Sequence, residues 1–434
     1  MDPQFVIAGR LRRDYLLPAN GSPLIDIPGG NLIHAAAGLG VWSHAQPPAP
    51  YEIPDDVQEP ELFHWNPDYP AGPGITTESS VGLLARVGED YPYDWLVSFR
   101  ERGWDTRGIH VLAEALDLRY FQAILPLAPP PMPHSTSGTA SASPRSETGT
   151  THLEPGPHPP RPIQEHRYRE IRDDFRESGL SRSNPVIHFA RLGLPFPKSL
   201  LGYQPPAEPD NLKTAHPASP RPNDIPPDYL KARAVHICPL DYLTTSRLSS
   251  TFRQASVSTL TVDPSAAIMT GKMLEDVRIL LQGLTAFLPS EEELRALFWG
   301  QTDDLWQMAE ALGEFGCEFI VVKRGARGQM LYDSVSKKRW EIPAYPARVM
   351  DVLGAGDSFC GGFLAGYQKT YDPVRGALYG SVSASLTIEG SGVFHALEAL
   401  PRLAQARLDA LTRQSPSSSF CQYDLRTRIN LEDT

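Results

Sequence analysis

The chain has 434 residues and a formal net charge of −11 at pH 7, so it can hold one large or two ordinary domains with a core large enough for a stable enzyme. The acidic balance argues against sequence-independent nucleic-acid binding, which needs a basic surface. The four widely spaced cysteines contain no CxxC pair, which favours reduced thiols over a disulfide framework or a zinc site: Cys238, Cys317, Cys360 and Cys421.

The N-terminal stretch MDPQFVIAGRLRRDYLL has no basic region followed by a long apolar core, as a secretory signal would have. No window of the chain reaches the roughly 18 apolar residues of a membrane span. We therefore expect a soluble cytoplasmic protein with neither a membrane nor a nucleic acid as its partner.

Short apolar runs alternate with longer helical patterns, in the rhythm of repeated strand–helix units. The predicted strands are Phe5–Gly9, Ser80–Gly88, Ala234–Pro239, Ser258–Pro264, Ala286–Pro289 and Phe319–Gly325. SEEELRALFWG and TDDLWQMAEALGEFG have helical patterns. The alternation predicts a mostly parallel, doubly wound α/β sheet with ligands at the carboxyl ends of its strands. Leu116–Pro126 falls outside this rhythm and is interpreted as an exposed strand.

Three tracts interrupt the pattern, because the 43 prolines of the chain are clustered. They are Ser43–Gly74, Pro126–Pro185 and Gly202–Pro227. Such compositions cannot bury enough apolar area to offset chain entropy, so we predict loops or disorder. A proline-rich tract could bind an SH3 or WW partner, but a plain spacer is the simpler interpretation. Residues 401–434 are predicted to form a C-terminal tail.

The stretch DVLGAGDSFCGGFLAGY combines a glycine-rich turn with the start of a helix. Its apolar residues fall at i, i+4, i+5 and i+8, on one helix face: Phe359, Phe363, Leu364 and Tyr367. Gly354, Ala355 and Gly356 are predicted to form the turn at the helix N-terminus, where free backbone N–H groups suit an anion. Asp357 is either a carboxylate that favours the helix dipole or a group that accepts a proton.

Several short motifs occur in an order that resembles one family. GRLRRD ends the first strand, and PGGNLIHAAAGLG, VGEDYP, FLPSEEEL, KRGARG and DVLGAGDSF follow along the chain. This order resembles the pfkB, or ribokinase-like, carbohydrate kinases, whose C-terminal signature is an aspartate, two variable residues and Gly-Ala-Gly-Asp. The resemblance implies a three-layer α/β/α core within residues 1–400, with a small β lid from residues 10–28 and 117–126.

The resemblance also implies ATP- and Mg²⁺-dependent phosphorylation of a hydroxyl on a sugar or sugar-like small molecule. Gly354, Ala355 and Gly356 are then expected to form an anion hole for the transferred phosphoryl group. Asp357 is expected to accept the proton of the hydroxyl. Asp351 opens the same signature and is counted among the substrate-binding residues. A homodimer is compatible with the family, and the oligomeric state is left open.

The sugar site is assigned by the same resemblance. Asp14 stands where the family holds sugar hydroxyls, and a carboxylate can accept two hydrogen bonds from a diol. Gly29 and Gly30 match the family's di-glycine, where bare backbone lets the substrate approach. The alternative for these two glycines is an ordinary turn after Pro28.

Two further motifs are assigned to the nucleotide and the metal. Lys323, Gly325 and Gly328 of KRGARG match the loop that borders the nucleotide. Lys323 is either a phosphate contact or a solvated lysine. Glu293 matches the glutamate that orders Mg²⁺ and its waters, although Ser290 and Glu293 also have the spacing of a capping box.

Three positions depart from the family pattern, because Arg12, His34 and Ser290 stand where asparagine is usual. Arg12 and His34 fall at sugar contacts, unless they face elsewhere, and argue against ribose as the substrate. A cation at this place could pair with an acidic or phosphorylated substrate. FPKSLLGY, the long tracts and FLPSEEEL look like the fungal maintenance-of-killer branch of the family, which implies no defined substrate.

Two rival functions are weighed against the kinase. A non-catalytic member that only binds or scaffolds is favoured by the three departures and the tracts, and opposed by the retention of Asp351 and Asp357. A dinucleotide-binding oxidoreductase is excluded, because the Gly-Ala-Gly run lies near the C-terminus and has no third glycine at the required spacing.

Overall fold

Strands alternate with helices along the part of the chain that a computed structural model describes, residues 2–18, 22–43, 81–124, 180–182, 184–205, 214–400, 402–414 and 423–424. The strands are β1 (Phe5–Ala8), β2 (Arg12–Leu17), β3 (Leu24–Gly29), β4 (Val81–Val87), β5 (Trp104–Val111), β6 (Arg119–Ile124), β7 (Leu180–Ser181), β8 (Ala234–Ile237), β9 (Thr259–Val262), β10 (Ala286–Phe287), β11 (Phe319–Lys323), β12 (Gln329–Asp333), β13 (Lys338–Ile342) and β14 (Tyr423–Asp424). The helices are α1 (Asn31–Gly40), α2 (Tyr93–Glu101), α3 (Pro185–Arg191), α4 (Tyr242–Gln254), α5 (Leu274–Leu281), α6 (Glu291–Leu297), α7 (Leu305–Glu314), α8 (Ala355–Thr370), α9 (Pro373–Thr387) and α10 (Leu403–Gln414).

The larger sheet is the scaffold of the molecule. Its strand order is β14-β13-β12-β11-β10-β9-β8-β1-β4-β5. From β5 to β11 every neighbouring pair is parallel, and β12, β13 and β14 extend the other edge as antiparallel strands. The mostly parallel sheet predicted from the alternation of strands and helices is therefore confirmed.

Strand β1 illustrates why this sheet is covered on both faces. All four of its residues are buried. Phe5 and Ile7 join the apolar cluster that contains α1, α8 and α9, whereas Val6 and Ala8 join the cluster that contains α4 to α7. Because successive side chains of a strand point to opposite faces, a continuous apolar run serves two helical layers. The result is a three-layer α/β/α core.

Helices α1 and α8 cross so closely that the contact requires glycine. A Cβ atom on Gly361 would lie 1.9 Å from the carbonyl oxygen of Ala35, and one on Gly38 would lie 2.1 Å from that of Ser358. Helix α8 is buried on nearly all sides from Ser358 to Gln368. The predicted helix is confirmed, but it lies inside the core rather than presenting a single apolar face.

A second sheet, called the lid here, has the order β3-β2-β6-β7. Strands β2, β3 and β6 fall in the two segments expected to supply it. Alternate side chains of β2 and β6 face opposite ways. The outer set packs under α3 and the segment after it: Tyr15, Leu17, Phe121 and Ala123 against Phe189, Leu200 and Tyr203. The prediction that Leu116–Pro126 is an exposed strand is wrong for β6, because this cover buries its middle.

The third proline-rich tract is ordered in its second half. Ala218, Ser219 and Ile225 are buried, and short 3-10 turns occupy Pro222–Asp224 and Pro227–Lys231. Residues 214–227 therefore form an ordered loop, which is one of the two alternatives predicted for this tract, rather than disorder. Proline suits the first position of such turns, since its fixed φ is already near the helical value.

The predicted C-terminal tail also contains a docked helix. Helix α10 buries Ala404, Leu408 and Leu411, and Arg407 donates to the Glu389 carboxylate at 2.5 Å. Residues 403–414 of the predicted tail are therefore a helix that packs on the core. Most of residues 43–74 and 126–185, and most of the chain after residue 414, lie outside the described residues. Within the part of the chain that the structure describes, no helix is long and apolar enough to span a membrane.

Candidate active site

The glycine-rich signature forms the N-terminus of α8. Gly354 is the residue before the helix and adopts a left-handed conformation with φ 75°. No side chain caps this helix end, so its positive dipole end is not covered by a protein oxygen from a capping side chain. Ala355 and Gly356 lie inside the first turn rather than before it, and the Ala355 N–H donates to the Val352 carbonyl at 3.3 Å.

His34 of α1 lies directly against Gly354. A Cβ atom on Gly354 would be 2.0 Å from His34 Nδ1, so only glycine leaves room for the imidazole. His34 is 3% exposed, and burial together with the charge of Arg12 lowers its pKa to about 4. The imidazole is therefore neutral at pH 7, and it belongs to the site rather than to a surface.

Lys323 reaches the same place from the end of β11. Its Nζ lies 3.5 Å from the position of a Cβ atom on Gly356 and donates to Asp263 Oδ2 at 2.6 Å. Cys360 Sγ lies 3.7 Å from Nζ. Burial alone would lower the pKa of Lys323, but Asp263, Cys360 and Glu293 together outweigh it and hold the pKa above its usual value. Lys323 is therefore a buried cation, not a solvated lysine.

Asp357 stands in the first turn of α8 and is partly buried. Burial raises the pKa of its carboxyl above the usual range, while the charges of Lys323 and Arg12 oppose the rise. A carboxylate with a raised pKa is a better proton acceptor than an ordinary surface aspartate. The structure thus brings Asp357, Gly354, Gly356 and Lys323 together.

Glu293 is held by the capping box that its spacing predicted. Its Oε2 accepts hydrogen bonds from the Ser290 N–H at 2.7 Å and from the Ser290 hydroxyl at 2.9 Å. Burial and the negative charge of Asp263 raise the pKa of Glu293 to about 7. The capping role is therefore present, and the side chain is also within electrostatic reach of Lys323 and Asp357.

Gly325 and Gly328 serve the shape of the loop after β11. Both have positive φ, 56° and 80°. A Cβ atom on Gly328 would meet the Ile342 carbonyl at 2.0 Å, whereas nothing lies within 4 Å of one on Gly325. Gly328 is thus explained by its approach to β13, and only Gly325 borders open space that a nucleotide could use.

Asp14 lies on the inner face of the lid and is 2% exposed. A Cβ atom on Gly29 would lie 2.0 Å from Asp14 Oδ2, so the first glycine of the pair makes room for this carboxylate. Burial raises the pKa of Asp14 to about 7; the charge of Arg12 lowers it and that of Asp351 raises it. Gly30 has φ 104° and precedes α1.

Asp351 lies just before α8 and is 3% exposed. Its Oδ1 accepts the Leu353 N–H at 3.0 Å, and burial raises its pKa. It is close enough to Asp14 to affect the pKa of that group. Arg12 stacks on Tyr120, with the guanidinium carbon 4.6 Å from the ring centroid, and its charge acts on Asp14, His34 and Asp357.

The sequence patterns above did not lead us to assign one charged residue, Asp263, to the site. Asp263 follows β9 directly and is 3% exposed. An acidic residue immediately after a buried strand, at the carboxyl edge of a parallel sheet, is a signal for a ligand-site residue. That signal was present in STLTVDP.

The fold and part of the chain match known proteins. Residues 226–400 match the pfkB family carbohydrate kinases. The chain is 30% identical over 145 residues to a cytidine kinase of Thermococcus kodakarensis, covering 33% of this chain and 51% of that protein. It is 36% identical over 131 residues to an uncharacterized sugar kinase of Archaeoglobus fulgidus, covering 30% and 48%. The matches thus span about half the length of these curated relatives.

A solved structure extends the likeness to nearly the whole chain. A putative ribokinase II from E. coli, in complex with ATP and Mg²⁺, superposes with a TM-score of 0.54 and 13% identity. The superposition covers 95% of this chain and 100% of that one. At this identity the likeness establishes the ribokinase-like fold.

Proposed function

Because residues 226–400 match the pfkB family carbohydrate kinases and the chain has a ribokinase-like fold, we propose that it transfers the γ-phosphoryl group of ATP to a hydroxyl of a sugar or sugar-like small molecule. One observation carries the proposal. Asp357 stands in the first turn of an uncapped helix, beside the left-handed Gly354, and the buried cation of Lys323 faces the same turn at Gly356. A proton acceptor, backbone donors and a positive charge are what phosphoryl transfer requires.

Each residue has a separate role in the proposed phosphoryl transfer. Asp14 accepts hydrogen bonds from substrate hydroxyls, and Asp357 takes the proton of the hydroxyl that reacts. The new bond joins that oxygen to phosphorus, and the bond from phosphorus to the β-phosphate oxygen breaks, so ADP leaves. The first-turn N–H groups of α8 and the Lys323 ammonium face the oxygens on which negative charge develops.

The site suits Mg²⁺ by its charge. Asp263, Glu293 and Asp357 act on one another electrostatically around the single ammonium of Lys323, which leaves a surplus of negative charge. Within the described residues no three His, Cys, Asp or Glu side chains form a complete metal site. Phosphoryl-transfer sites typically hold Mg²⁺ by one or two carboxylates, water and substrate phosphates. Glu293 is the residue we assign to it, and when bound the ion would neutralise phosphate charge.

A second function is favoured by one contact. Because Ser290 satisfies Glu293 Oε2 with two hydrogen bonds, Glu293 can serve the helix alone. The chain would then be a pfkB-like binding or scaffold protein without turnover.

Calorimetry and a turnover assay separate the two functions. We expect Mg-ATP and Mg-ADP to bind, and ADP to form in the presence of a neutral sugar, a sugar acid or a nucleoside. Lys323→Met is expected to weaken nucleotide binding by about tenfold or more. Lys231→Met is the matched control, because this side chain is 65% exposed. Absence of nucleotide binding would contradict the kinase, and binding without any turnover would support the scaffold.

A further inference from the structure

We propose that the acceptor substrate carries an anionic group, a carboxylate or a phosphate, and that Arg12 binds it. The inference rests on the proposed kinase function and names the substrate class for the same site. It starts from the position of Arg12 on the lid. Arg12 and Asp14 are two residues apart on β2 and therefore share its inner face. A substrate whose hydroxyls reach Asp14 thus has a guanidinium beside it.

The charge of Arg12 affects three titratable groups of the site. Its charge lowers the pKa of Asp14, of His34 and of Asp357. These three groups come from the lid, from α1 and from α8. The guanidinium therefore lies where the substrate side of the site meets the proton acceptor.

Among the described residues, the guanidinium of Arg12 forms no ion pair, and the carboxylates of Asp14 and Asp357 act on it only at longer range. Its one recorded contact among the described residues is the stacking on Tyr120. The other two arginines on β2 and β6 are paired, Arg13 with Asp26 at 2.7 Å and Arg119 with Asp117 at 2.7 Å. A half-buried guanidinium with free N–H donors favours a carboxylate or phosphate, which it can bind in a bidentate manner.

Unsatisfied atoms around Arg12 point to the same space. Asp14 Oδ1 and both ring nitrogens of His34 are buried and have no hydrogen-bond partner within the described residues. Native proteins seldom leave buried polar atoms unpaired, so such a group indicates a missing ligand. A polyhydroxylated anion would supply hydroxyls to Asp14 and His34 and its charge to Arg12.

A second cation extends the positive surface. Arg182, which follows β7, lies over the same Tyr120 ring at 5.6 Å and is exposed. Tyr120 is therefore flanked by two guanidinium groups. The anionic group of the substrate is expected to lie at this aromatic ring, away from the hydroxyl that reacts at Asp357.

The alternative role for Arg12 is to balance the charge of Asp14. The two roles differ in one measurable respect. A residue that only balances Asp14 affects neutral and acidic substrates equally, whereas a residue that binds the anion affects the acidic ones alone.

The test uses the full chain with Mg²⁺ and a non-hydrolysable ATP analogue. Calorimetry compares matched sets, namely glucose, gluconate and glucose 6-phosphate, and ribose, ribonate and ribose 5-phosphate. We expect a carboxylate or a phosphate member to bind about tenfold more tightly than its neutral counterpart, and the two arms tell carboxylate from phosphate. Arg12→Gln should abolish this preference, and Arg12→Lys should retain part of it. Arg13→Gln is the control, since Arg13 lies on the opposite face and is paired with Asp26.

Three results would overturn the inference. The first is that the neutral sugars bind as tightly as the acidic ones. The second is that no acidic sugar binds while the nucleotide analogue still does. The third is that Arg12→Gln still binds the acidic sugars more tightly than the neutral ones. If the unaltered protein does not bind the nucleotide analogue, the proposed function is overturned, and this inference with it.

Discussion

Lys323 and Asp263 form a buried ion pair, with Nζ 2.6 Å from Oδ2 and side-chain exposures of 15% and 4%. Lys323 is the last residue of β11 and Asp263 directly follows β9, and β10 alone separates these two strands in the sheet. The pair therefore fixes a positive charge at the carboxyl edge of the sheet, next to the first turn of α8. A long lysine side chain is otherwise free to choose among rotamers, so Asp263 keeps Nζ near Gly356.

Breaking this pair should destabilise the protein strongly. We expect Asp263→Ala to lower the free energy of unfolding by about 3 kcal/mol, because it removes the hydrogen-bond partner of the Lys323 ammonium and leaves only the longer-range charges of Glu293 and Asp357 to balance it. The double variant Asp263→Ala/Lys323→Met should recover most of that loss in urea unfolding.

The exposed pair of Arg107 and Asp228 is the control. Its Arg107 side chain is 52% exposed, so the same double-mutant cycle should give a coupling of about 1 kcal/mol or less. A coupling at Lys323 and Asp263 no larger than this would contradict the importance given to the buried pair.

Asp357 should carry the chemistry without contributing much to folding. Asp357→Asn keeps the size and a hydrogen-bonding group but cannot accept a proton. General-base catalysis typically contributes about 10²–10⁴-fold, so kcat should fall on that order while nucleotide affinity is nearly unchanged. Turnover with an identified substrate and calorimetry with Mg-ADP measure the two effects. If Asp357 only favours the helix dipole, turnover stays the same and Tm falls slightly.

Gly354 should tolerate no side chain, for two separable reasons. Its left-handed φ costs any L-residue about 1–2 kcal/mol, and a Cβ atom would overlap the imidazole of His34. We expect the overlap in Gly354→Ala to lower the free energy of unfolding by about 1–3 kcal/mol beyond the backbone cost. Denaturant unfolding measures this loss.

Gly103→Ala isolates the backbone part of that cost. Gly103 has φ 82°, and nothing lies within 4 Å of a Cβ atom there. The excess loss in Gly354→Ala should disappear when His34 is also replaced by alanine. If Gly354→Ala and Gly103→Ala lower the free energy of unfolding equally, the imidazole of His34 moves aside without an energetic penalty.

Asp14 should make the unliganded protein less stable as the pH rises. Its pKa is raised by burial from 3.8 to about 7, so the folded state binds the proton more tightly than the unfolded state. The stabilisation is complete below the unfolded pKa and is lost as the pH passes from about 4 to about 7, by about 4 kcal/mol at most. Asp14→Asn should therefore raise Tm at pH 8 more than at pH 4.5.

Asp94→Asn provides the matched comparison for Asp14, because Asp94 is exposed on α2. It should leave the pH dependence of Tm as it is. A pH dependence in Asp14→Asn identical to that of the unaltered protein would show that the buried carboxyl finds compensation elsewhere.

Local rules explain why much of the fold was predictable. The predicted strands contain β1, β4, β8, β9, β10 and β11, because apolar runs between turn residues suffice to mark buried parallel strands. The same rules do not predict burial correctly where a strand is covered by segments distant in the chain. β6 is buried by α3 and residues up to Tyr203, and the alternation within a strand does not reveal what lies over it.

The sequence by itself determined the alternation of strands and helices, the glycine turn at Gly354 and the capping box of Ser290 and Glu293, since each depends on residues close together in the chain. Only the tertiary structure decided which charges meet. Lys323 and Asp263 are 60 residues apart, and Arg12 and His34 join Asp357 only through the lid and the crossing of α1 with α8. Periodicity specifies which side of an element is buried. The partner that a buried charge finds depends on distance through space, which sheet order and helix crossing set.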